Sequence, residues 1–310
     1  MMIKDLFYFL IFPGMIFSVV MGGILSWSDR KITARVQFRK GAPFLQPFFD
    51  IGKLFYKETI LPEHGARLTF LAAPVFALFS ATLANVFILL PSIFPGSGFK
   101  GDLIVVFYLL TIPSLSYIIG SLASGNPLAS VGASREIKLI MSYELTFILA
   151  LACIVIKSGM SLSISDIIAA QQEGGAFIGS VSGVVLFIVI LFVIQAKLAL
   201  VPFDMSEAET EIAHGVFIEY SGSAYAIIKM ARYIMLFALP SLMVTLLMGG
   251  FRLNGFGILW SVLKLGLILF LITLLRNTNP RLRLDQAMRF FFIWMNLIVV
   301  IAIGFSIIKL

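Results

Sequence analysis

The 310-residue chain is 60% hydrophobic and only 13% charged. A soluble globular protein has roughly 45–50% apolar and about 25% charged residues, so the composition excludes a water-soluble fold. The net charge of +7 is spread over short segments between apolar runs, which argues against a nucleic-acid-binding domain. One cysteine and two histidines exclude a disulfide framework and a cysteine- or histidine-based metal centre.

Eight apolar runs are long enough to cross a bilayer, whose core of roughly 30 Å needs about 20 helical residues. The first has no small-residue cleavage site and is followed by Arg30 and Lys31, so we interpret it as a span and not as a signal peptide. The sixth is too long for one perpendicular helix, so tilt or an extension beyond the membrane is expected. The predicted spans are 6–26, 68–91, 102–121, 137–157, 177–199, 216–248, 256–275 and 287–308. The sequence thus predicts an all-α polytopic membrane protein of about eight transmembrane helices, forming one integral membrane domain over 1–310.

The basic residues are distributed unequally between the two sides of this layout. Segments 27–67, 200–219 and 276–289, with the short connections on the same side, hold 15 of the 23 lysines and arginines. Because basic loops remain in the cytoplasm, these segments are predicted to be cytoplasmic. Both termini are then predicted to lie on the non-cytoplasmic side.

Within the first cytoplasmic segment, the stretch from Phe44 to Glu58 is too charged to span the membrane. One helical face collects Leu45, Phe48, Phe49, Leu54 and Phe55, and another collects Asp50, Lys53 and Lys57. This pattern predicts an amphipathic helix that lies at the cytoplasmic membrane interface or under a docked partner.

The second cytoplasmic segment is rich in carboxylates. Five of the 16 acidic residues fall within sixteen positions: Asp204, Glu207, Glu209, Glu211 and Glu219. Asp204 followed by Glu207 fits a helix capping box. Capping does not explain Glu209, Glu211 and Glu219. If the segment is helical, Asp204, Glu207 and Glu211 share one face, where crowding raises carboxylate pKa values. A proton-handling role and a capping role both remain open.

A second unusual carboxylate, Glu144, is placed inside the fourth predicted span. A charge at that depth costs at least roughly 2.5 kcal/mol, so it normally faces a partner or a water-filled cavity. Glu136 precedes it on the same run, and the two form an acidic track into the membrane. The possible cationic partners at membrane depth are Lys197, Lys229, Arg232 and Lys264. A solitary structural hydrogen bond is the alternative interpretation of Glu144.

The third cytoplasmic segment concentrates arginines: Arg276, Arg281, Arg283 and Arg289. Positive-inside bias accounts for some of them, and docking of a cytoplasmic protein through arginine–carboxylate pairs is the other interpretation.

These motifs resemble a known family. The stretch PFDMSEAETE at 202–211, followed by EYSG at 219–222, resembles the signature of the membrane subunit that joins the peripheral and membrane arms of respiratory complex I. ARVQFRKGAP at 34–43 and RNTNPRLRLDQ at 276–286 match the other cytoplasmic motifs of that family. The resemblance covers the whole chain and its eight-span layout.

Finer features resemble one branch of that family. Quinone-reducing members carry a longer insertion before the amphipathic helix, whereas here Ala42-Pro43 runs directly into FLQP. GNPLASVGASRE at 125–136 and EYSGS at 219–223 look like the group 4 membrane-bound [NiFe] hydrogenases, whose architecture the sulfane-sulfur reductase complexes share. The resemblance therefore favours the hydrogenase-type branch.

This resemblance implies a non-catalytic anchor subunit of an oxidoreductase complex in the cell membrane. Its implied partners are [NiFe]-hydrogenase-like large and small subunits, antiporter-like and small membrane subunits, and the lipid bilayer, with no nucleic acid. The [NiFe] centre and iron–sulfur clusters would lie in those partners, and this chain would hold no cofactor. Its task would be to couple electron transfer to proton or sodium translocation through a lateral acidic channel of Glu136, Glu144, Asp204, Glu207, Glu209, Glu211 and Glu219. The docking or quinone-like-cavity loops would use Arg30, Arg35, Arg39, Arg276, Arg281, Arg283, Asp285 and Arg289.

The equivalent subunit of a sulfane-sulfur reductase complex is one alternative within the resemblance, and two further alternatives stay open. In the first, the chain is a quinone-binding subunit of an NADH:quinone oxidoreductase, and Arg35, Phe38, Arg39 and the acidic segment line a quinone tunnel. In the second, it is a stand-alone ion transporter, against which the lack of repeats and the arginine-rich loops argue.

Overall fold

A computed structural model describes residues 2–63, 65–252 and 255–308, and these ranges contain helices and no strands. The all-α prediction is confirmed. The helices are α1 (Met2–Leu10), α2 (Met15–Val36), α3 (Gln46–Phe55), α4 (Arg67–Ile93), α5 (Asp102–Ala123), α6 (Pro127–Lys157), α7 (Ile164–Gly174), α8 (Val181–Lys197), α9 (Glu209–Ile212), α10 (Gly222–Leu247), α11 (Phe256–Thr278), α12 (Leu284–Arg289) and α13 (Asn296–Ile307). Short 3₁₀ turns lie at Phe177–Gly179 and Gly215–Phe217, and a π-helical turn, Phe290–Met295, joins α12 to α13.

Seven of the described helical segments are long and apolar enough to cross a membrane, and α8, with 17 residues, is a shorter apolar helix. Together they correspond to the eight predicted spans. The first span is interrupted between α1 and α2, where Pro13 stands. The sixth predicted run, 216–248, is longer than its helix: α10 begins at Gly222, and the run starts within the 3₁₀ turn Gly215–Phe217. The fourth helix of the predicted set, α6, begins at Pro127 and not at 137.

The three predicted cytoplasmic segments lie at the same end of the bundle. The backbone amide of Leu282 donates to the carbonyl of Pro202 at 3.1 Å, which joins the acidic segment to the arginine loop. The Thr59 and Ser223 hydroxyls are 2.7 Å apart, which joins the first segment to the start of α10. At the opposite end, the amide of Gly96 donates to Ser165 at 3.0 Å. The grouping of the segments follows from these contacts, while their cytoplasmic assignment stays a prediction of charge bias.

The amphipathic helix α3 exists, but its buried face differs from the prediction. Pro47 and Ile51 are buried, and the ring of Phe48 packs over Gly23 of α2, whereas Phe49 and Phe55 are exposed. The five apolar residues predicted for one face are therefore split between the bundle and the outside. A helix with apolar groups on both sides can pack on the bundle and still present a surface to lipid or a partner.

The acidic segment is not the continuous helix assumed for its shared face. Residues 200–208 run as turns, so the predicted capping box at Asp204 does not start a helix. Helix α9 covers only four residues. Its first residue, Glu209, was predicted to belong to the channel, and its side chain lies outside the described part of the structure. Asp204, Glu207 and Glu211 therefore do not share a helical face.

Helix α10 lies at the centre of the bundle, with 83% of its apolar window buried, the largest share among the described spans. It crosses α2 closely at Gly22, where an added Cβ would clash with the backbone carbonyl of Tyr233. Small residues allow membrane helices to approach in this way.

We expect Gly22→Ala to destabilise the protein by about 1–3 kcal/mol, because the new methyl group meets backbone and not a movable side chain. Gly304→Ala is the matched control, since a Cβ there has no neighbour within 4 Å. The thermal unfolding midpoint of the purified protein measures both effects. Equal midpoints for the two variants would contradict the close crossing.

Candidate functional site

A cavity of about 260 Å³ lies among α2, α5, α6, α8, α10, α11 and the acidic segment. Charged side chains of both signs reach its wall: Asp29, Arg30, Glu136, Lys197, Glu207, Lys229, Arg232 and Arg276. Buried charges are costly unless paired or hydrated. The cavity is therefore a polar chamber inside an otherwise apolar bundle.

Two of the predicted channel residues, Glu136 and Glu207, lie in this chamber. Glu136 is 6% exposed, bonds to the Ser206 hydroxyl, and its Oε2 has no protein partner in the described part of the chain. Glu207 forms an ion pair with Arg232 at 2.9 Å. The guanidinium of Arg232 also lies 5.4 Å from the Phe217 ring centroid. A buried carboxylate oxygen facing a polar chamber is suited to accept a proton.

Glu144 lies beyond the chamber and is connected to it by Lys197. The Lys197 Nζ is 2.5 Å from Glu144 Oε1, and only 1% of the lysine side chain is exposed. Thr111 of α5 donates to the same oxygen at 2.9 Å. Lys197 lies on the chamber wall, while Glu144 does not. Of the four cations predicted as possible partners for Glu144, Lys197 is the one that pairs with it.

Three aromatic rings surround the Lys197 ammonium. Its Nζ lies 5.9, 5.4 and 5.1 Å from the ring centroids of Phe107, Tyr143 and Phe147. Ring faces attract cations, so this environment stabilises the charged lysine away from water. The sequence contained little sign of it, because the rings come from α5 and α6 and the lysine from α8.

The other predicted channel residues whose side chains the structure describes lie outside the chamber wall. Asp204 pairs with Arg281 of the arginine loop at 2.8 Å. Glu211, whose side chain is 60% exposed, pairs with Arg135 of α6 at 2.6 Å. Glu219 accepts from the Asn126 side chain at 2.5 Å. The acidic segment is thus held to several elements by separate polar contacts.

Burial changes the acidity of two carboxyls in the acidic segment, which lies outside the spans. Burial raises the pKa of Glu207 above its ordinary value, although Arg232 opposes the shift. Burial likewise raises the pKa of Asp204, against the opposing charge of Arg281. Both groups therefore bind a proton more readily than a solvated carboxylate.

The predicted docking residues divide into two groups. Arg30, Arg276 and Arg281 are engaged within the chain, in ion pairs with Asp50 (3.1 Å), Asp29 (2.6 Å) and Asp204 (2.8 Å). The rest lie at least partly exposed on the surface: Arg35, Arg39, Arg283, Asp285 and Arg289. The first group is also partly exposed, with side-chain exposures of 38%, 37% and 43%, but its charges are already paired within the chain.

Asp29 is a site residue that the sequence reasoning missed. It is buried, pairs with Arg276 and accepts from Thr273 of α11 at 2.9 Å. An aspartate at the end of an apolar run, directly before Arg30, was the available signal. Within the described residues, no three His, Cys, Asp or Glu side chains come together as a metal site.

Comparison with known proteins gives concordant results. The family described as NADH dehydrogenase matches residues 9–307. A subunit of the NADH-quinone oxidoreductase of Thermomicrobium roseum is 36% identical over 289 residues, covering 85% of this chain and 84% of the relative. The same subunit of the Brevibacillus brevis enzyme is 32% identical over 301 residues, covering 91% and 87%. A chain of the membrane-bound sulfane sulfur reductase, an archaeal respiratory membrane complex, matches with a TM-score of 0.85 and 28% identity, covering 94% of this chain and 96% of its own length.

Proposed function

This chain belongs to the NADH dehydrogenase family, that of complex I subunit 1, and we propose that it couples electron transfer in a docked soluble module to ion movement in the membrane. It is a multi-pass protein of the cell membrane and a membrane subunit of a complex I-like oxidoreductase. The observation that carries the coupling proposal is the charged chamber, joined to Glu144 through Lys197.

The first step of the coupling is a change of charge in the chamber. Glu136 lies within electrostatic reach of Glu207, Arg232 and Lys197. Because opposite charges stabilise each other strongly in a poorly hydrated site, a proton arriving on Glu136 changes the energy of each neighbour. Movement of the acidic segment, when the docked module changes redox state, would supply or withdraw that proton.

The second step passes through Lys197. Both Glu136 and Glu144 attract its ammonium, and the direct contact is with Glu144. When Glu136 is ionised, it competes for the lysine; when it is protonated, the lysine pairs with Glu144 alone. The state of the chamber therefore sets how strongly Lys197 is held by Glu144. From Glu144, the charge change would reach neighbouring antiporter-like subunits, with Asp204, Glu209, Glu211 and Glu219 proposed as the entrance.

Docking of the soluble module is proposed at the end of the bundle where the surface arginines lie. Arg35 and Arg39 are exposed beside Phe38, which is 100% exposed, and Tyr56 follows α3 with its ring almost entirely uncovered. Exposed aromatic and arginine side chains are enriched at protein interfaces. This surface, with Arg283, Asp285 and Arg289, is the proposed docking face.

We expect the double variant Arg35→Glu/Arg39→Glu to lose the soluble subunits, because it reverses the charge of the docking face. Their yield on purification through the membrane part should fall about tenfold or more. Lys100→Glu is the matched control, since Lys100 is exposed and lies at the opposite predicted side. Retention of the soluble subunits by the double variant would contradict this docking face.

Within the family, we propose the hydrogenase-type branch, with [NiFe]-hydrogenase-like large and small subunits as partners. The connection from α2 to α3 is short, without room for the insertion of quinone-reducing members. The structural match to the sulfur reductase chain extends over 96% of that chain. The [NiFe] centre and iron–sulfur clusters would be held by the soluble partners.

A quinone-binding role is the second candidate, favoured by the names and the higher identity of the NADH-quinone oxidoreductase relatives. The chamber itself favours the first candidate, because about 260 Å³ is below the roughly 300–1,000 Å³ of ligand pockets and its wall is charged. A quinone ring and its apolar tail would need a larger space.

Purification of the native complex tests the proposal. We expect [NiFe]-type large and small subunits to accompany this chain, and ion uptake by reconstituted vesicles when the complex turns over. Co-purified quinone with inhibition by quinone-site blockers would establish the second candidate. Ion flux through this chain alone would show a stand-alone transporter and refute the anchor role.

A further inference from the structure

A second cavity is a groove of about 590 Å³ on the outer face of α11, away from the charged chamber. Its wall is apolar except for one lysine: Met248, Trp260, Val262, Leu263, Lys264, Gly266, Leu267 and Phe270. Trp260, Leu263 and Leu267 are about half exposed, so the groove opens towards the surroundings of the bundle and not into its core. In a membrane-spanning helix, such a face meets lipid chains or another subunit.

Lys264 is a charged group in an apolar place. It is 9% exposed, and its Nζ donates to the carbonyls of Met248 at 2.5 Å and Gly250 at 3.3 Å. In the described part of the chain it has no carboxylate partner, and Arg252 is the only other charged group that acts on it electrostatically. Two cations thus lie beside the groove, and no acidic residue among those described balances them.

Capping of α10 accounts for part of this arrangement. Met248 and Gly250 follow the last residue of α10, and a cation at a helix C-terminus is stabilised by the helix dipole. The dipole is equivalent to only about half an elementary charge, so it leaves much of the Lys264 charge and all of the Arg252 charge uncompensated. Arg252 is exposed, whereas the Lys264 ammonium is buried beside the groove, where an anion from outside the chain could offset its remaining charge.

The position of the groove indicates what kind of anion would bind there. Lys264 lies about two turns into α11, close enough to the helix start for its long side chain to reach the membrane interface. Trp260 lies one turn earlier, as aromatic residues do at the headgroup level. The Cβ position of Gly266 has no neighbour within 4 Å, which leaves space for a hydrocarbon chain between Trp260 and Phe270.

From this juxtaposition of an uncompensated buried ammonium with an apolar groove, we propose that the outer face of α11 binds an anionic phospholipid. The phosphate accepts hydrogen bonds from Lys264 and is attracted by Arg252, and one acyl chain lies along Leu263, Gly266 and Phe270. Both cations lie on the predicted non-cytoplasmic half, where positive-inside bias does not require them. A bound lipid supplies a reason for their presence.

The test uses the native complex, purified and exchanged into micelles of equal parts phosphatidylglycerol and phosphatidylcholine. After delipidation, retained lipid is identified by mass spectrometry. We expect the wild type to retain phosphatidylglycerol selectively, and Lys264→Gln to reduce that retention about tenfold, because a charge-assisted hydrogen bond is lost. Lys157→Gln is the matched control, a lysine at the end of α6 that donates to Ser180 at 2.6 Å and does not line the groove.

A second variant separates lipid loss from misfolding. Gly266→Leu fills the groove without changing charge, and leucine favours a helix over glycine. It should also release the lipid, whereas Gly304→Leu, at another open glycine position, should not.

Equal retention of the two lipids by the wild type, or unchanged phosphatidylglycerol in both groove variants, would overturn the proposal. Displacement of the lipid by inorganic phosphate would show that the site recognises free phosphate. A photo-crosslink from position Leu267 to another subunit would show that a protein helix occupies the groove.

Discussion

Replacing Lys197 with methionine is expected to abolish ion translocation by the complex while soluble-dye activity of the redox module is largely retained. The substitution leaves the Glu144 carboxylate buried without its cation, next to Thr111. Removing one member of a buried pair typically costs about 3–5 kcal/mol. The thermal unfolding midpoint should therefore fall together with ion uptake.

The double variant Lys197→Met/Glu144→Leu distinguishes stability from transport. Replacing both charges with apolar groups is often neutral or stabilising, so the unfolding midpoint should return towards that of the wild type. Thr111 keeps its bond to the Phe107 carbonyl at 3.0 Å and is not left unsatisfied. Ion uptake should remain absent. Normal ion uptake by the double variant would refute the proposed relay.

The sequence could predict a site residue that is unusual within its own apolar run, but it could not predict a partner that depends on how helices pack. Glu144 was recognisable because a carboxylate inside an apolar run is unfavourable whatever surrounds it. Its partner was not, since four cations were available at membrane depth and only packing of α8 against α6 decides among them. In the structure, Arg232 pairs with Glu207, and Lys229 lies 5.3 Å from the Tyr225 ring centroid.

For the acidic segment, the predicted secondary structure was wrong. Its spacing suggested one helical face of like charges, but three of its carboxylates pair with three different elements. Arg281, Arg232 and Arg135 reach Asp204, Glu207 and Glu211 from the arginine loop, α10 and α6. Local propensity is a weak guide where tertiary ion pairs can separate charges that a helix would crowd.

Helix α3 illustrates a different limit. Its amphipathic pattern predicted a helix, and the helix is present. The pattern could not show which apolar side faces the bundle, because both Ile51 and Phe55 are available for burial and only Ile51 is covered. A single chain encodes surfaces for its partners as well as its own core, and the two are alike in composition.

Arg232→Gln is expected to shift the pH dependence of ion translocation to higher pH. Burial raises the pKa of Glu207, and Arg232 opposes that rise, so loss of the arginine raises this pKa further. An opposite charge favours the ionised carboxylate, so without it the acid limb of the pH profile should move to higher pH. Below that pKa Glu207 is protonated, so the ion pair that holds the acidic segment to α10 is lost there.

The matched control is Arg135→Gln, which removes the partner of the exposed Glu211 and should move the acid limb little, because solvent screens that pair. Glu207→Gln should remove the titration step instead of shifting it. Ion uptake by reconstituted complex, measured across pH with dye reduction recorded in parallel, resolves the three cases. An acid limb that is identical in wild type, Arg232→Gln and Glu207→Gln would show that Glu207 does not set the charge of the chamber. Coupling would then have to pass from Glu136 to Lys197 without the acidic segment.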